Sequence, residues 1–256
     1  MSVERAEAAF WAAFLRNRNL DATTVDDGAV ALAGGYALCS TGGFLQYAIG
    51  VGSTRPLRPD DLEIAEAFYA ARGLPSRLEL TGDVLERDGP LLAARGYADE
   101  GTALAVLEAD LPLADETTGA VTTRIVTGRR VWVALALRAF ADAVEPADAD
   151  RLQRSVLANA AAANALFVAA VGGVDAGAAA VALADDLALL YSGAVLPEYR
   201  GARVHGALLA ARVAYACSRG ATRATFKTLV DSAAERSAAR RGFTRTALRR
   251  RVARPT

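Results

Sequence analysis

Two stretches, AARGYADEGTALAVLE at 93–108 and AARRGFTRTALRRRVA at 238–253, each close a helical pattern at Arg-Gly, place an aromatic next and run into a strand. What precedes them also corresponds. A helix over 60–72, the strand RLEL and a closing helix lead into the first stretch, and a helix over 205–219, the strand TRATFKTL and a closing helix lead into the second. A unit that recurs in this way constrains the chain to build one supersecondary arrangement twice. With 256 residues there is room for two domains of ordinary size. The apolar pattern breaks at LPLADETTG, 111–119, where Pro112, acids and Gly119 mark a linker, so the expected domains are 1–112 and 120–256.

Strand and helix patterns alternate along the rest of the chain, the mark of an α/β (α+β) fold. Val3, Ala6, Phe10, Ala13 and Phe14 recur at helical spacing and predict a helix over 3–18. Strands are expected near 29–39 and 44–50. RPDDLEIAEAFYAARG then starts a helix with acids in its first turn and stops it at Gly73. Beyond the linker come the strand TTRIVTG, helices over 131–141 and 148–164, a hairpin turning at Gly172-Gly173, and the strand LALLYSGAVLP.

Composition narrows the function classes. Hydrophobic residues make up 53% of the chain, much of it alanine in helical patterns, and no run of about 18 apolar residues is present to span a bilayer. Acids among the apolar positions of the N-terminus argue against a secretory leader, so no membrane partner is expected. Cys39 and Cys217 lie far apart, which suits a reducing cytoplasm. The single histidine, His205, rules out a His-rich metal centre, and no metal is expected. Charge is uneven: residues 196–256 hold 14 basic and 3 acidic side chains, against 15 and 26 in residues 1–195. Apart from Lys227 every basic residue is an arginine, whose planar fork suits phosphate and carboxylate, so the basic end is expected to seek an anion. Its tail, TRTALRRRVARPT, lacks interleaved aromatics, and no nucleic acid is expected. Trp11 and Trp132 stand in helical stretches and read as core or interface residues.

The place for an anion is the turn LPEYRGARVHGALL, which leads from an apolar strand into an alanine-rich helix. The first N–H groups of a helix lack internal partners, and the macrodipole puts about half a positive charge there. Gly201 lets the backbone approach an anion, and Arg200 and Arg203 add charged donors. The stretch Gly201 to Gly206 is not G-x-G-x-x-G, and no Gly-Lys-Ser/Thr ending occurs, so dinucleotide and P-loop motifs do not fit. His205 reads most simply as a residue of the first helical turn.

The order strand, turn EYRGARVHG, helix, strand, helix, RRGF and final strand resembles the GCN5-related N-acetyltransferase (GNAT) superfamily over about residues 121–256. The first half looks like a more diverged copy, as in tandem-GNAT proteins. The resemblance implies two domains, each a mixed, mostly antiparallel central sheet flanked by helices. In that family the turn carries Arg/Gln-x-x-Gly-x-Gly/Ala, whose backbone amides hold the pyrophosphate of acetyl-coenzyme A. Anchored on PEYRG, the matching residues are Arg200, Gly201, Ala202, Arg203, Val204 and His205, followed by Gly206 and Ala207. Arg203 and His205 stand in the two glycine slots. Backbone amides do not depend on side-chain identity, so acetyl-CoA binding is the expectation; the alternative is that the two side chains fill the pyrophosphate space.

The resemblance further implies that backbone at Ala194, Val195 and Leu196 pairs with the pantetheine arm, with Ser237 near its end. The family's thiolate acid, a tyrosine, falls at Ala238 here, which leaves Tyr191 and Ser237 as candidates and the catalytic residue unassigned. The implied activity is acetyl-CoA-dependent N-acetyl transfer by direct attack of the primary amine of a small molecule, with homodimer formation left open. The alternative is a non-catalytic acyl-CoA-binding or scaffolding protein. The first copy is not expected to bind the cofactor, because helix 60–72 begins with acids that repel phosphate; it would instead shape the acceptor pocket.

Overall fold

The computed structural model describes residues 2–19, 27–40, 45–113 and 120–255. In chain order the elements are α1 (Val3–Asn19), β1 (Gly28–Leu32), β2 (Gly35–Cys39), β3 (Gln46–Ile49), α2 (Pro59–Ala70), β4 (Ser76–Thr81), α3 (Gly82–Ala94) and β5 (Ala98–Asp110). There follow β6 (Val121–Val126), α4 (Arg129–Phe140), α5 (Ala149–Ala162), β7 (Ala165–Val171), β8 (Val174–Ala184), β9 (Leu187–Val195), α6 (Val204–Ser218), β10 (Arg223–Leu229), α7 (Ala233–Ala239) and β11 (Thr244–Arg254). This is the expected α/β order. The single strand expected over 29–39 is instead the hairpin β1–β2, because Ala33 (φ +43°) and Gly34 (φ +93°) turn the chain, and the start of the strand expected over 44–50 lies outside the described residues at position 44.

The chain divides into two compact units, Met1–Ala105 with Ala247–Thr256, and Val106–Thr246. Both divisions fall inside strands, β5 and β11, and so differ from the expected 1–112 and 120–256. Hydrogen bonding is the reason: Arg249–Arg254 pair antiparallel with Thr81–Ser76 of β4, which makes the end of the chain part of the first unit's sheet. Of the expected linker, residues 114–119 lie outside the described residues.

In the first unit β1, β2 and β3 pair antiparallel in sequence and β3 pairs parallel with β4. Its core gathers Leu62, Tyr69, Leu78, Leu80 and Leu92. The Tyr69 hydroxyl, fully buried, donates to the carbonyl of Leu38 and accepts from its N–H, both at 3.2 Å. An ionic group is also buried here. Arg249 is 1% exposed and donates to Glu7 at 2.7 Å and Glu79 at 3.2 Å, while Arg251 donates to Glu79 at 3.0 Å. The basic end was expected to seek an anion, and on β11 that anion is the chain's own carboxylates. Besides the buried group, Arg245 pairs with Asp231 and Glu235, Arg250 with Asp99, and Arg254 with Glu66.

In the second unit β6, β7, β8 and β9 pair antiparallel in sequence and β9 pairs parallel with β10. The strands β7, β8 and the first half of β9 are buried almost throughout, which is why they read as continuous apolar runs. Trp132, wholly buried on α4, donates its indole N–H to the carbonyl of Ala179 at 3.0 Å. The two units thus repeat one order, with β3, α2, β4, α3 and β5 matching β9, α6, β10, α7 and β11. Their shared Arg-Gly-aromatic signature has a common cause. Gly96 (φ +81°) and Gly242 (φ +87°) close α3 and α7 in the left-handed region, and the N–H groups of Tyr97 and Phe243 reach back to the carbonyls of Leu92 and Ala238. No described helix is long and apolar enough to cross a membrane.

Candidate active site

Strand β9 starts in register with β8 and then slips. Ala180 faces Tyr191 but Ala178 faces Ala194, so two residues of β9, Ser192 and Gly193, answer one of β8, Ala179, and Ser192 takes φ +50°. On its other side β9 pairs with β10 only through Leu187, Leu189 and the residue between them. Beyond this ladder β9 runs on to Val195.

After β9 a short 3-10 turn, Pro197–Tyr199, leads to Gly201 at φ +88° and Arg203 at φ +61°, the residue that caps α6. An arginine side chain has no acceptor, and none is supplied to this helix start, so the N–H groups of the first turn of α6 remain uncapped. These groups border a cavity of about 480 Å³. Its wall takes Gly193, Ala194 and Val195 from the slipped end of β9, then Tyr199 through Gly201, then Arg203 through Gly206. The end of α4 adds Ala139, Phe140 and Asp142, and α7 adds Ala233, Ala234, Ser237 and Arg240. The Arg241 guanidinium packs over Gly206, where a Cβ would meet it at 2.9 Å.

Of the residues singled out in the sequence, Ala194, Val195, Arg200, Gly201, Arg203, Val204, His205, Gly206 and Ser237 therefore share one cavity. Leu196, Ala202 and Ala207 do not line it: Leu196 and Ala207 are buried, and Ala202 is exposed on the turn. Tyr191 is placed elsewhere. Its hydroxyl donates to the carbonyl of Asn159 on α5, it packs against the core around Trp132, and burial holds its phenol far above the ordinary range. Tyr191 does not line the cavity. Arg200 reaches across to Asp142 at 2.6 Å, which keeps the Asp142 carboxyl below its usual value. Glu198, in the 3-10 turn, sits 3.6 Å from Arg138 of α4. His205 is pushed down to about 4, by burial first and then by the charges of Arg212 and Arg241. Asp142, Tyr199, Arg240 and Arg212 were not picked out beforehand.

The matching turn of the first unit is built differently. Asp61 accepts from the Arg58 N–H at the start of α2 and from both terminal nitrogens of Arg55, at 2.6–2.9 Å. Asp88 accepts from the Leu57 N–H at 3.1 Å. Two carboxylates of the chain thus stand at this turn and hold the N–H groups that precede α2.

A parallel strand pair, followed by an uncapped helix start lined with arginine, is an arrangement that can hold an anionic ligand. The fold can be stated more narrowly. A GCN5-related N-acetyltransferase from Kribbella flavida superposes over 100% of this chain and 97% of its own, with a TM-score of 0.65 at 17% identity. One from Sphaerobacter thermophilus covers 81% of this chain and 71% of its own, TM-score 0.60 at 16% identity. A tandem GNAT protein from the clavulanic acid biosynthesis pathway covers 80% and 73%, TM-score 0.57 at 14% identity. The chain has the fold of the GCN5-related N-acetyltransferases. No protein-family model matches its sequence, and no curated protein matches it.

Proposed function

We propose that the second unit binds acetyl-CoA and transfers the acetyl group to the primary amine of a small molecule. The observation that carries this is the uncapped start of α6, which opens on the same cavity as Gly193, Ala194 and Val195 of β9. The pyrophosphate would take the N–H groups of the first turn of α6, with Arg203 adding charge, and the pantetheine amides would pair along the end of β9 at Ala194 and Val195. The side chain of Arg203 is exposed, so it leaves the backbone of that glycine slot clear. His205 keeps an uncharged ring at neutral pH and does not compete for the anion as a cation would. Holding amine and thioester together supplies several kcal/mol towards the barrier. Tyr199 is the phenol on the wall and the better placed acid for the leaving thiolate; Ser237, with a far less acidic hydroxyl, orients the pantetheine end. Binding is confined to the second unit because Asp61 and Asp88 occupy the donors of the first. A cytoplasmic location and the use of a small-molecule acceptor belong to the same proposal.

A second function is favoured by one observation. Ala238, wholly buried, stands where the resembled family has its acid tyrosine, which suits an acyl-CoA-binding protein without turnover. Calorimetry with acetyl-CoA, followed by thiol release over a panel of amines, separates the two. Binding with turnover supports acetyl transfer, binding without turnover on any amine supports the second function, and no binding removes both.

A further inference from the structure

We infer that Arg212, on α6 behind the cavity wall, is a positioning residue for acyl transfer: it clamps the slipped register of β9 and sets an unneutralised positive charge beneath Gly193. The inference rests on the acetyl-transfer function proposed above. Arg212 is 3% exposed, and its contacts are all neutral carbonyls. Its Nε donates to Leu208 at 3.1 Å, and its Nη1 donates to Ala180 and Tyr191, each at 3.4 Å. Ala180 and Tyr191 are the pair at which the β8–β9 ladder breaks step, so one guanidinium holds both strands at the slip. A Cβ built on Gly193 would stand 3.5 Å from Nη2 and 3.8 Å from Nη1, with His205 Nε2 also at 3.8 Å. Gly193 is exposed on the cavity, so little more than its backbone separates the ligand space from this charge.

Among the described residues no carboxylate pairs with Arg212. Burial lowers it only to about 10, so it stays charged at neutral pH. The ionic groups around it are mostly of its own sign: Arg241 faces His205, Arg203 and Arg240 line the cavity, and the one acid of the wall, Asp142, is held by Arg200. A buried charge of this kind is commonly less stable than an apolar residue of similar size. Its use lies in the reaction. The amine lone pair forms the C–N bond at the acyl carbon and charge collects on the carbonyl oxygen. The C–S bond then breaks with its electron pair on sulfur, while the proton shed by nitrogen passes to water. Both stages are anionic where the thioester was neutral, and a fixed cation behind a water-poor wall favours them.

The test compares Arg212→Met and Arg212→Lys with the wild type. It uses acetyl-CoA calorimetry, kcat and KM with an amine that the wild type acetylates, thermal unfolding, and NMR titration of His205. In the Met variant kcat is expected to fall roughly 10- to 100-fold, with acetyl-CoA affinity held within about threefold. The melting temperature should not fall with it, the Lys variant should recover part of kcat, and His205 should titrate higher in the Met variant because an opposing cation is gone. A Met variant with wild-type kcat overturns the inference and leaves acetyl transfer standing. So does a Lys variant as impaired as the Met variant, or a His205 titration that does not move. A wild type that binds acetyl-CoA yet acetylates no amine removes acetyl transfer itself and the role of Arg212 with it. Should the Met variant not fold, Arg212→Gln takes its place under the same criteria.

Discussion

His205 offers a direct probe of the electrostatics of the cavity, because it is the only imidazole in the chain. Its Nδ1 is buried without a hydrogen-bond partner, and burial with the charges of Arg212 and Arg241 lowers its pKa from 6.5 to about 4. At about 1.4 kcal/mol for each pH unit, protonating it in the folded protein costs about 3 kcal/mol more than in the unfolded chain. The unfolded chain takes up this proton near pH 6.5 and the folded chain only near 4. Between those values the unfolded state holds the extra proton, so the stability linked to neutral His205 is complete above 6.5 and lost as the pH falls towards 4. The assay is a long-range 1H–15N titration of the imidazole in protein without added histidines, paired with urea unfolding of wild type and His205→Gln at pH 7 and pH 4.5. Carboxylates titrate alike in both proteins, so the difference in stability between them should shift against the wild type on acidification by most of that amount. Bound acetyl-CoA should raise the pKa, since a pyrophosphate at the start of α6 favours the imidazolium. An imidazole titrating above about 6 in the free protein, or a stability difference that ignores pH, would refute this account of the site.

Arg200 must exchange Asp142 for phosphate, so Arg200→Ala should weaken acetyl-CoA binding by about 1.5 to 3 kcal/mol, and Asp142→Asn should tighten it; calorimetry reads both. Tyr199→Phe should lower kcat by about 10²-fold while leaving the acetyl-CoA Kd near the wild-type value, as expected of an acid that acts after binding. Arg249→Leu leaves Glu7 and Glu79 buried without their shared cation and should cost about 3 to 5 kcal/mol in urea unfolding. Gly177→Ala brings a Cβ to 2.8 Å from Val204 and 2.9 Å from the carbonyl of Ala194, which should lower stability by about 1 to 3 kcal/mol and disturb the cavity together.

Much of the local architecture was legible because local chemistry dictates it. The Arg-Gly-aromatic endings at 95–97 and 241–243 close helices in the same way, since glycine alone takes positive φ there without cost and the aromatic N–H returns to the last turn. The turn before α6 was legible for the same reason: Gly201 takes positive φ next to the helix that the turn opens. Arg212 could have been noticed, because it stands four residues after Leu208 on an otherwise apolar, alanine-rich face. The place of Tyr191 was not legible. Alternation along β9 does not say which face meets the ligand, and one extra residue at the slip reverses that assignment for everything on one side of it.

The sequence by itself determined the order of helices and strands, their doubling, and the turn that opens α6, because caps, periodicity and glycine conformations act within a few residues. Only the tertiary structure decided where the arginines of the last strand find their acids, that residues 247–256 complete the first unit, and that Asp142 holds Arg200. Those outcomes join residues far apart in the chain, such as Arg249 with Glu7, and they depend on which strands pair and in what register. A run of arginines looks the same in sequence whether it faces a ligand or the protein's own carboxylates; pairing across the sheet is what tells them apart.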